Sequence, residues 1–363
     1  MKKSLIALAA LAASGMAMAQ SSVTLYGVVD TGLTYSKGDE SVYGLTKTGG
    51  NTNSRLGFRG VEDLGNGLKA TFNLEGGMNV DDGTGYLGAG GPNDTGFQFR
   101  RTSTVGLAGN FGEVRLGREL TASYMAVSRY DVFGDTGIGA SLAWKRDYAI
   151  RTENAITYYS PVFSGFKVGV NYGFGEQQKA SDKRYIGIGA TYDNGPLSLG
   201  LGVDRLNGDT QNNTQWDENQ TTWHLGGSYN FGVAKLLGFY KETKFKETGL
   251  NAGNDSTKFK TFGLGVTAPV GAAGEVRASY NHYRLSADVT GFSVPTFKAD
   301  QLSLGYVHNL SKRTALYGTY AYLKNKNDSG VNMGLQLNGA MSGAGLSNSG
   351  AQHGLQVGVR HAF

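Results

Sequence analysis

From residue 22 to the last residue, the chain is built of segments about ten residues long in which apolar and polar side chains alternate one by one. Leu68, Ala70, Phe72 and Leu74 interleave with Lys69, Thr71, Asn73 and Glu75. Phe166, Val168, Val170, Tyr172 and Phe174 interleave with Lys167, Gly169, Asn171 and Gly173, and Leu197 to Val203 with Ser198 to Asp204. A period of two sends neighbouring side chains to opposite faces of a strand. Sixteen such segments are expected, starting near residues 22, 55, 68, 97, 111, 154, 166, 185, 197, 221, 234, 258, 275, 300, 314 and 351. The segment at 234–242 does not alternate cleanly. The connections alternate as well. Tight turns at 62–67, 108–110, 161–165 and 194–196 contrast with long polar stretches at 36–54, 77–96, 175–184, 206–220, 243–257, 286–299 and 325–350.

A strand of about 9–11 residues, tilted, crosses a bilayer. No backbone amide can stay unpaired in hydrocarbon, so spanning strands must close into a ring. One face then meets lipid and the other meets water. Lys or Arg on the lipid face costs about 2–4 kcal/mol at the midplane, so Lys69, Lys167 and Arg277 belong inside. Sixteen strands leave an aqueous channel where eight would be filled by side chains. A transmembrane antiparallel β-barrel with long loops outside the cell is the expected fold. A secreted β-solenoid would need a sequence repeat, and none is present. The last segment, His353 to Phe363, is expected to pair with the first and remove the open edge.

The first residues carry a different signal. Lys2 and Lys3, an apolar run from Leu5 to about Met16 and Ala17-Met18-Ala19 have the form of a secretory signal peptide. Cleavage after Ala19 is expected, leaving 20–363 as one barrel domain, and the run is shorter than the roughly 20 residues that span a bilayer. Without Lys2 and Lys3 the formal charge of +5 falls to +3, too mild for a nucleic-acid partner. With 57 Gly but no G-x-y period, collagen is excluded, and 20 Tyr and 17 Phe argue against disorder. No cysteine is present, which removes disulfides and thiolate chemistry.

Several motifs occur in order: Leu25-Tyr26-Gly27, Ser54-Arg55-Leu56-Gly57-Phe58-Arg59-Gly60, Phe111-Gly112-Glu113-Val114-Arg115-Leu116-Gly117-Arg118, Tyr159 to Phe166, and Val359-Arg360-His361-Ala362-Phe363. Together they resemble the trimeric general-diffusion porins of Gram-negative outer membranes, in the betaproteobacterial and neisserial branch. The resemblance covers essentially the whole mature chain. It implies a homotrimer of 16-stranded barrels whose third loop, here 119–150, folds into the lumen as an eyelet. Asp131-Val132-Phe133-Gly134-Asp135-Thr136 resembles the family's Pro-Glu-Phe-Gly-Gly-Asp-Thr, one residue shorter and without its Pro and Glu. On that resemblance Phe133 and Gly134 make the inward turn, and Asp131 and Asp135 supply the acidic side. Arg55 and Arg101 match the family's arginine ladder, and Arg59 shares the face of Arg55. Thr157 stands where a third basic residue is usual, for which Lys145, Arg146 or Arg151 are substitutes. Arg101 also shares strand parity with Val105 and Leu107, so either a bulge intervenes or those two line a subunit interface.

The function implied is passive diffusion of small hydrophilic solutes and ions, with a mild preference for anions that Asp30 and Glu113 would offset. Other partners implied are outer-membrane lipid and lipopolysaccharide, and the barrel-assembly machinery, addressed through Phe363. No cofactor, metal or catalytic residue is expected. Gly83 to Gly88 matches G-x-G-x-x-G but lacks a strand–helix context. The five histidines lack metal-ligand spacing, and no G-x-S-x-G is present. The basic run Lys241 to Lys260 reads as a solvated external loop. The alternatives are a substrate-specific channel, using Trp216 in loop 206–220, and a barrel-embedded hydrolase.

Overall fold

The computed structural model describes residues 22–86, 96–144, 149–209, 218–247, 255–326, 333–335 and 350–363. The expected leader 1–19, Lys145, Arg146 and Trp216 lie outside the described residues. The strands are β1 (Ser22–Lys37), β2 (Ser41–Leu45), β3 (Arg55–Gly65), β4 (Leu68–Met78), β5 (Gly85–Tyr86), β6 (Thr102–Gly109), β7 (Gly112–Leu120), β8 (Arg151–Tyr159) and β9 (Phe166–Gly173). They continue as β10 (Tyr185–Asn194), β11 (Leu197–Leu206), β12 (Glu218–Asn230), β13 (Lys235–Glu247), β14 (Ser256–Val270), β15 (Gly274–Asp288), β16 (Phe297–Asn309), β17 (Thr314–Asn325) and β18 (Ala351–Ala362). A helix, α1 (Ala122–Ser128), follows β7, and a single 3-10 turn spans Leu142–Trp144. The basic run expected to be a solvated loop is mostly strand: β13 extends to Glu247 and β14 begins at Ser256.

All pairings are antiparallel, each long strand beside its sequence neighbours, and β1 meets β18 to close the ring. The short β2 and β5 only extend β1 and β4, so sixteen strands form the barrel. At the seam ten residue pairs run from Val28↔Ala362 to Lys37↔His353. Beyond them the amides and carbonyls of Gly27 and Phe363 exchange hydrogen bonds, both 3.1 Å. The Phe363 ring lies over Gly27, where an added Cβ would sit 2.4 Å from its Cζ. A residue without a side chain is therefore required at the point of closure.

Turn chemistry sets the register. Between β3 and β4 only Asn66 and Gly67 turn the chain, both at positive φ (54° and 79°), as a two-residue hairpin loop needs. Burial inverts the soluble pattern. Leu201, Leu225 and Leu302 are exposed on the outward face, whereas Thr222, Gln301 and Gln356 on the polar face are almost fully buried.

Fifteen of the sixteen expected starts fall within three residues of an observed strand; β6 starts at Thr102 rather than 97. Residues 97–101 run irregularly, and the Arg101 amide donates to the Glu75 carbonyl at 3.0 Å just before the strand begins. That irregularity answers the parity question. Val105 and Leu107 face outward and exposed, while Arg101, off the strand lattice, turns to the opposite side. The broken alternation at 234–242 also has a cause. Leu237, Phe239 and Phe245 occupy the polar face of β13 and are buried there, with Phe239 stacked on Trp144 at 5.6 Å.

Candidate functional site

The connection from β7 to β8 does not extend away from the sheet. Thr121 caps α1, its Oγ1 accepting from the Tyr124 amide at 3.3 Å and donating to the Ala149 carbonyl at 2.9 Å. The helix then rests on the polar face of successive strands. Asn171 of β9 accepts from the Ala122 amide at 2.6 Å. Ser123 Oγ donates to Asp204 of β11 at 2.6 Å and lies 2.8 Å from Nε2 of the buried His224 on β12. Tyr130 shares a hydrogen bond with Ser198, 2.8 Å, and Arg129 pairs with Asp193. Further along, Lys241 Nζ donates to the Ala143 carbonyl at 2.8 Å and stands 4.8 Å above the Trp144 ring. Tyr283 OH accepts from the Leu142 amide at 3.1 Å, and Gln301 Nε2 donates to the Ala140 carbonyl at 3.1 Å. Thr136 Oγ1 reaches the Gly49 carbonyl at 3.2 Å. One segment is thus tied to strands from β9 to β16 and to the connection after β2.

Glycine makes that approach possible. An added Cβ at Gly189 would lie 2.0 Å from the Ala122 carbonyl oxygen, and one at Gly200 2.1 Å from that of Ala126. Phe133 lies across Gly305, where a Cβ would sit 2.8 Å from its ring. Gly134 takes φ +67 with its amide on the Asp131 carbonyl at 3.2 Å, so Phe133-Gly134 is a turn.

The acidic residues of this segment part company. Asp131 is buried, its carboxylate accepting from Trp144 Nε1 at 3.0 Å and from the Phe133 amide at 3.2 Å. Burial pushes its pKa up to about 7 against those donors. Asp135 instead accepts from Tyr124 OH and from Asn53 Nδ2, both at 3.2 Å. The Asn53 carbonyl accepts from Arg55 at 2.9 Å, so one asparagine links the loop acid to the arginine. Arg55 and Arg101 converge on a residue not singled out from sequence: Glu75 of β4 pairs with Arg55 Nε at 3.4 Å and Arg101 Nε at 2.7 Å. Its signal was parity, since it shares the polar face of Lys69, Thr71 and Asn73 and sits in register with Gly57 between Arg55 and Arg59. Arg59 makes no ion pair among the described residues and lies 5.2 Å over the Tyr26 ring. Tyr26 OH in turn donates to Asn73 at 2.9 Å and to Glu75 at 3.1 Å.

A second network was also missed. Arg115 is held between Glu113 at 2.7 Å and Glu119 at 2.9 Å, so Glu113 is already paired. Asp30 is consumed too, accepting from the amides of Gly50, Asn51 and Thr52 at 2.8–3.1 Å and from Tyr317 OH at 2.6 Å. Thr157, in the place of the third basic residue, is buried and accepts from Asn171 Nδ2 at 2.6 Å. Arg151 donates to the Arg101 carbonyl at 3.1 Å and so borders the arginine pair.

A closed ring of strands, apolar outside and charged within, matches known proteins along its length. The profile described as Gram-negative porin matches residues 5–328. This chain belongs to the Gram-negative porin family. Outer membrane porin protein 32 of Delftia acidovorans is 49% identical over 100% of both chains. An outer membrane porin protein of Bordetella pertussis is 33% identical over 90% of this chain and 95% of its own. Among solved structures, the anion-selective porin from Comamonas acidovorans superposes with a TM-score of 0.80 at 45% identity, covering 95% of this chain and 100% of its own. OmpT of Vibrio cholerae, in its trimer form, shares the fold at a TM-score of 0.68 and 17% identity. The porin is therefore a channel of the Gram-negative outer membrane for passive diffusion of small hydrophilic solutes, and its family are channels rather than enzymes.

Proposed function

We propose that segment 119–150 narrows the lumen of this porin to an eyelet that favours anions. The observation that carries this is the charge arrangement at its rim. Two arginines share one carboxylate, Glu75, while Arg59 has no acidic partner among the described residues. Of the two acids in the motif 131–136, Asp131 is buried against Trp144, which leaves Asp135 as the one facing Arg55 through Asn53. Arg55, Arg59 and Arg101 thus outweigh Glu75 and Asp135. Fixed charges of opposed sign orient a passing ion, and attraction near the aqueous value of about 1 kcal/mol at 4 Å lets it leave again. The anion-selective relative from Comamonas acidovorans supports the same sign.

The porin assembles as a homotrimer in this reading, through the outward apolar face of the early strands, where Leu25, Val29, Leu33 and Val105 are exposed. Phe363, seated on Gly27 at the seam, serves as the assembly signal at the C-terminal strand. The test is single-channel conductance and reversal potential in planar bilayers under a salt gradient, for wild type and Arg55→Ala/Arg101→Ala. Ohmic steps in threes with an anion preference weakened by the double variant are expected. Unchanged selectivity in the double variant would discard the eyelet assignment.

A further inference from the structure

Asp30, expected from the sequence to offset an anion preference by its charge, does not stand in the water of the channel. It is fully buried on the inward face of β1, and four donors close around its carboxylate. Oδ1 accepts from the Gly50 amide at 2.9 Å and from Tyr317 OH at 2.6 Å. Oδ2 accepts from the amides of Asn51 at 3.1 Å and Thr52 at 2.8 Å. Successive backbone amides converging on one anion form a nest. Here the anion belongs to the wall and the nest to the connection between β2 and β3.

β1 and β3 stay in register as far as Val28↔Arg55. Past that pair the chain leaves the ladder, and Asp30 holds what has left it. Ser54 Oγ donates to the Asp30 carbonyl and accepts from the Asp30 amide, both at 2.9 Å. Arg360 of β18, directly opposite Asp30, donates to Asn51 Oδ1 at 2.9 Å. Gly49 takes φ +120°, and an added Cβ there would lie 1.9 Å from the Thr52 carbonyl oxygen, so the turn is folded tightly over the carboxylate.

The other side of the same turn carries the charges of the rim. One guanidinium nitrogen of Arg55 donates to Thr52 Oγ1 at 3.3 Å and to the Asn53 carbonyl at 2.9 Å. Asn53 Nδ2 donates to Asp135 at 3.2 Å, and the Gly49 carbonyl accepts from Thr136 Oγ1 at 3.2 Å. Gly137, at φ +81°, approaches so closely that an added Cβ would sit 2.0 Å from the Gly50 carbonyl oxygen. Arg55 and Asp135 are thus both mounted on the backbone of 49–53, and that backbone is mounted on one carboxylate.

We propose that Asp30 is a positioning residue for ion selectivity: through the nest 50–52 it fixes the Arg55 guanidinium and the loop acid Asp135 at the rim, and it touches no permeating ion. This deepens the eyelet reading and rests on it. Without the anchor, Arg55 keeps its ion pair with Glu75 at 3.4 Å, and a guanidinium folded onto that carboxylate no longer offers its charge to a passing anion. Asp30 therefore supports anion preference although its own charge has the opposite sign. An amide cannot replace it, because one oxygen becomes an NH₂ group and either orientation sets that donor against two others.

The experiment is a double-mutant cycle on the reversal potential in planar bilayers under a salt gradient, near 0.1 M. It uses wild type, Asp30→Asn, Arg55→Ala and the combined variant, each checked for folding by heat-modifiable gel mobility. Arg55→Ala should lower the anion-to-cation permeability ratio about three- to fourfold, the effect of one fixed charge about 6 Å from the ion path. Asp30→Asn should lower it in the same direction, and the combined variant should fall no more than about 1.5-fold below Asp30→Asn. Tyr317→Phe removes one donor without altering any charge. It should give a smaller fall of the same sign, and it carries the same cycle if Asp30→Asn does not fold. A ratio that rises or stays unchanged in Asp30→Asn would overturn the proposal, a rise meaning that its charge acts directly on the ion. Additive losses in the combined variant, with Arg55→Ala effective alone, would overturn this proposal and leave the eyelet standing. Arg55→Ala without effect on its own would overturn both.

Discussion

Replacing Glu75 by Gln removes one negative charge from the proposed eyelet rim and leaves the shape nearly unchanged. Glu75 lies 3.4 Å from Arg55 and 2.7 Å from Arg101, so its loss unmasks one unit of positive charge. For an ion passing about 6 Å away, one charge in water is worth about 0.7 kcal/mol. Screening at 0.1 M salt, with a Debye length of about 10 Å, reduces this to about 0.4 kcal/mol. An anion gains that amount and a cation loses it, so the anion-to-cation permeability ratio should rise about three- to fourfold. At 1 M salt, where the Debye length is about 3 Å, the rise should shrink to less than about 1.5-fold. Reversal potentials at both salt concentrations measure this directly. The variant should also melt earlier, because Arg101 is largely buried and loses its carboxylate. A ratio that falls, or that rises equally at both salt concentrations, would refute the assignment of Glu75 to the rim.

Lys241→Met keeps the aliphatic stem but removes the 2.8 Å bond to Ala143 and the charge over Trp144. It should loosen the loop by about 1–3 kcal/mol and raise single-channel noise, and variant traces as quiet as those of wild type would argue against the anchor. Gly200→Val places side-chain atoms where a Cβ already meets the Ala126 carbonyl oxygen at 2.1 Å. It should lift α1 and change conductance while the barrel still folds, as heat-modifiable gel mobility would report. Burial raises the folded Asp131 carboxyl to about 7, above its ordinary value near 4, so the folded loop holds a proton that the unfolded chain has released. Its contribution to stability is full below about pH 4 and is lost as pH rises through about 7. Proteolysis within 119–150 should therefore accelerate from pH 4 to pH 8 in wild type and stay flat in Asp131→Asn.

The barrel was legible because lipid imposes a rule on every spanning residue. Leu199, Leu201 and Val203 had to face one way, and Ser198, Gly200 and Asp204 the other, whatever else they did. Where a second surface covers the polar face, the rule weakens, and Phe239 and Leu237 entered it because a packed loop replaces water there. The site was legible only in part. Arg55 and Arg101 stood out as charges in motifs, but their shared partner Glu75 read as one more polar residue in an alternating strand. Ser123, Asp204 and His224 lie far apart in sequence, 81 and 101 residues from the serine, and only the curvature of the sheet gathers them. Asp131 and Asp135 looked equivalent in one short motif. A buried indole partner for one and Asn53 for the other separate them, and neither partner is adjacent in the chain.

The anchorage of the loop also dictates an order of events. Its bonds reach Gln301, up to 163 residues downstream, and Gly49, 87 residues upstream. Contacts so distant form late, after the intervening chain has been organised. Segment 119–150 therefore cannot take its seat until β9 through β16 stand side by side to receive it. If the seated segment narrows the lumen as proposed, that narrowing follows the building of the wall and is available only to a wall that has been built correctly.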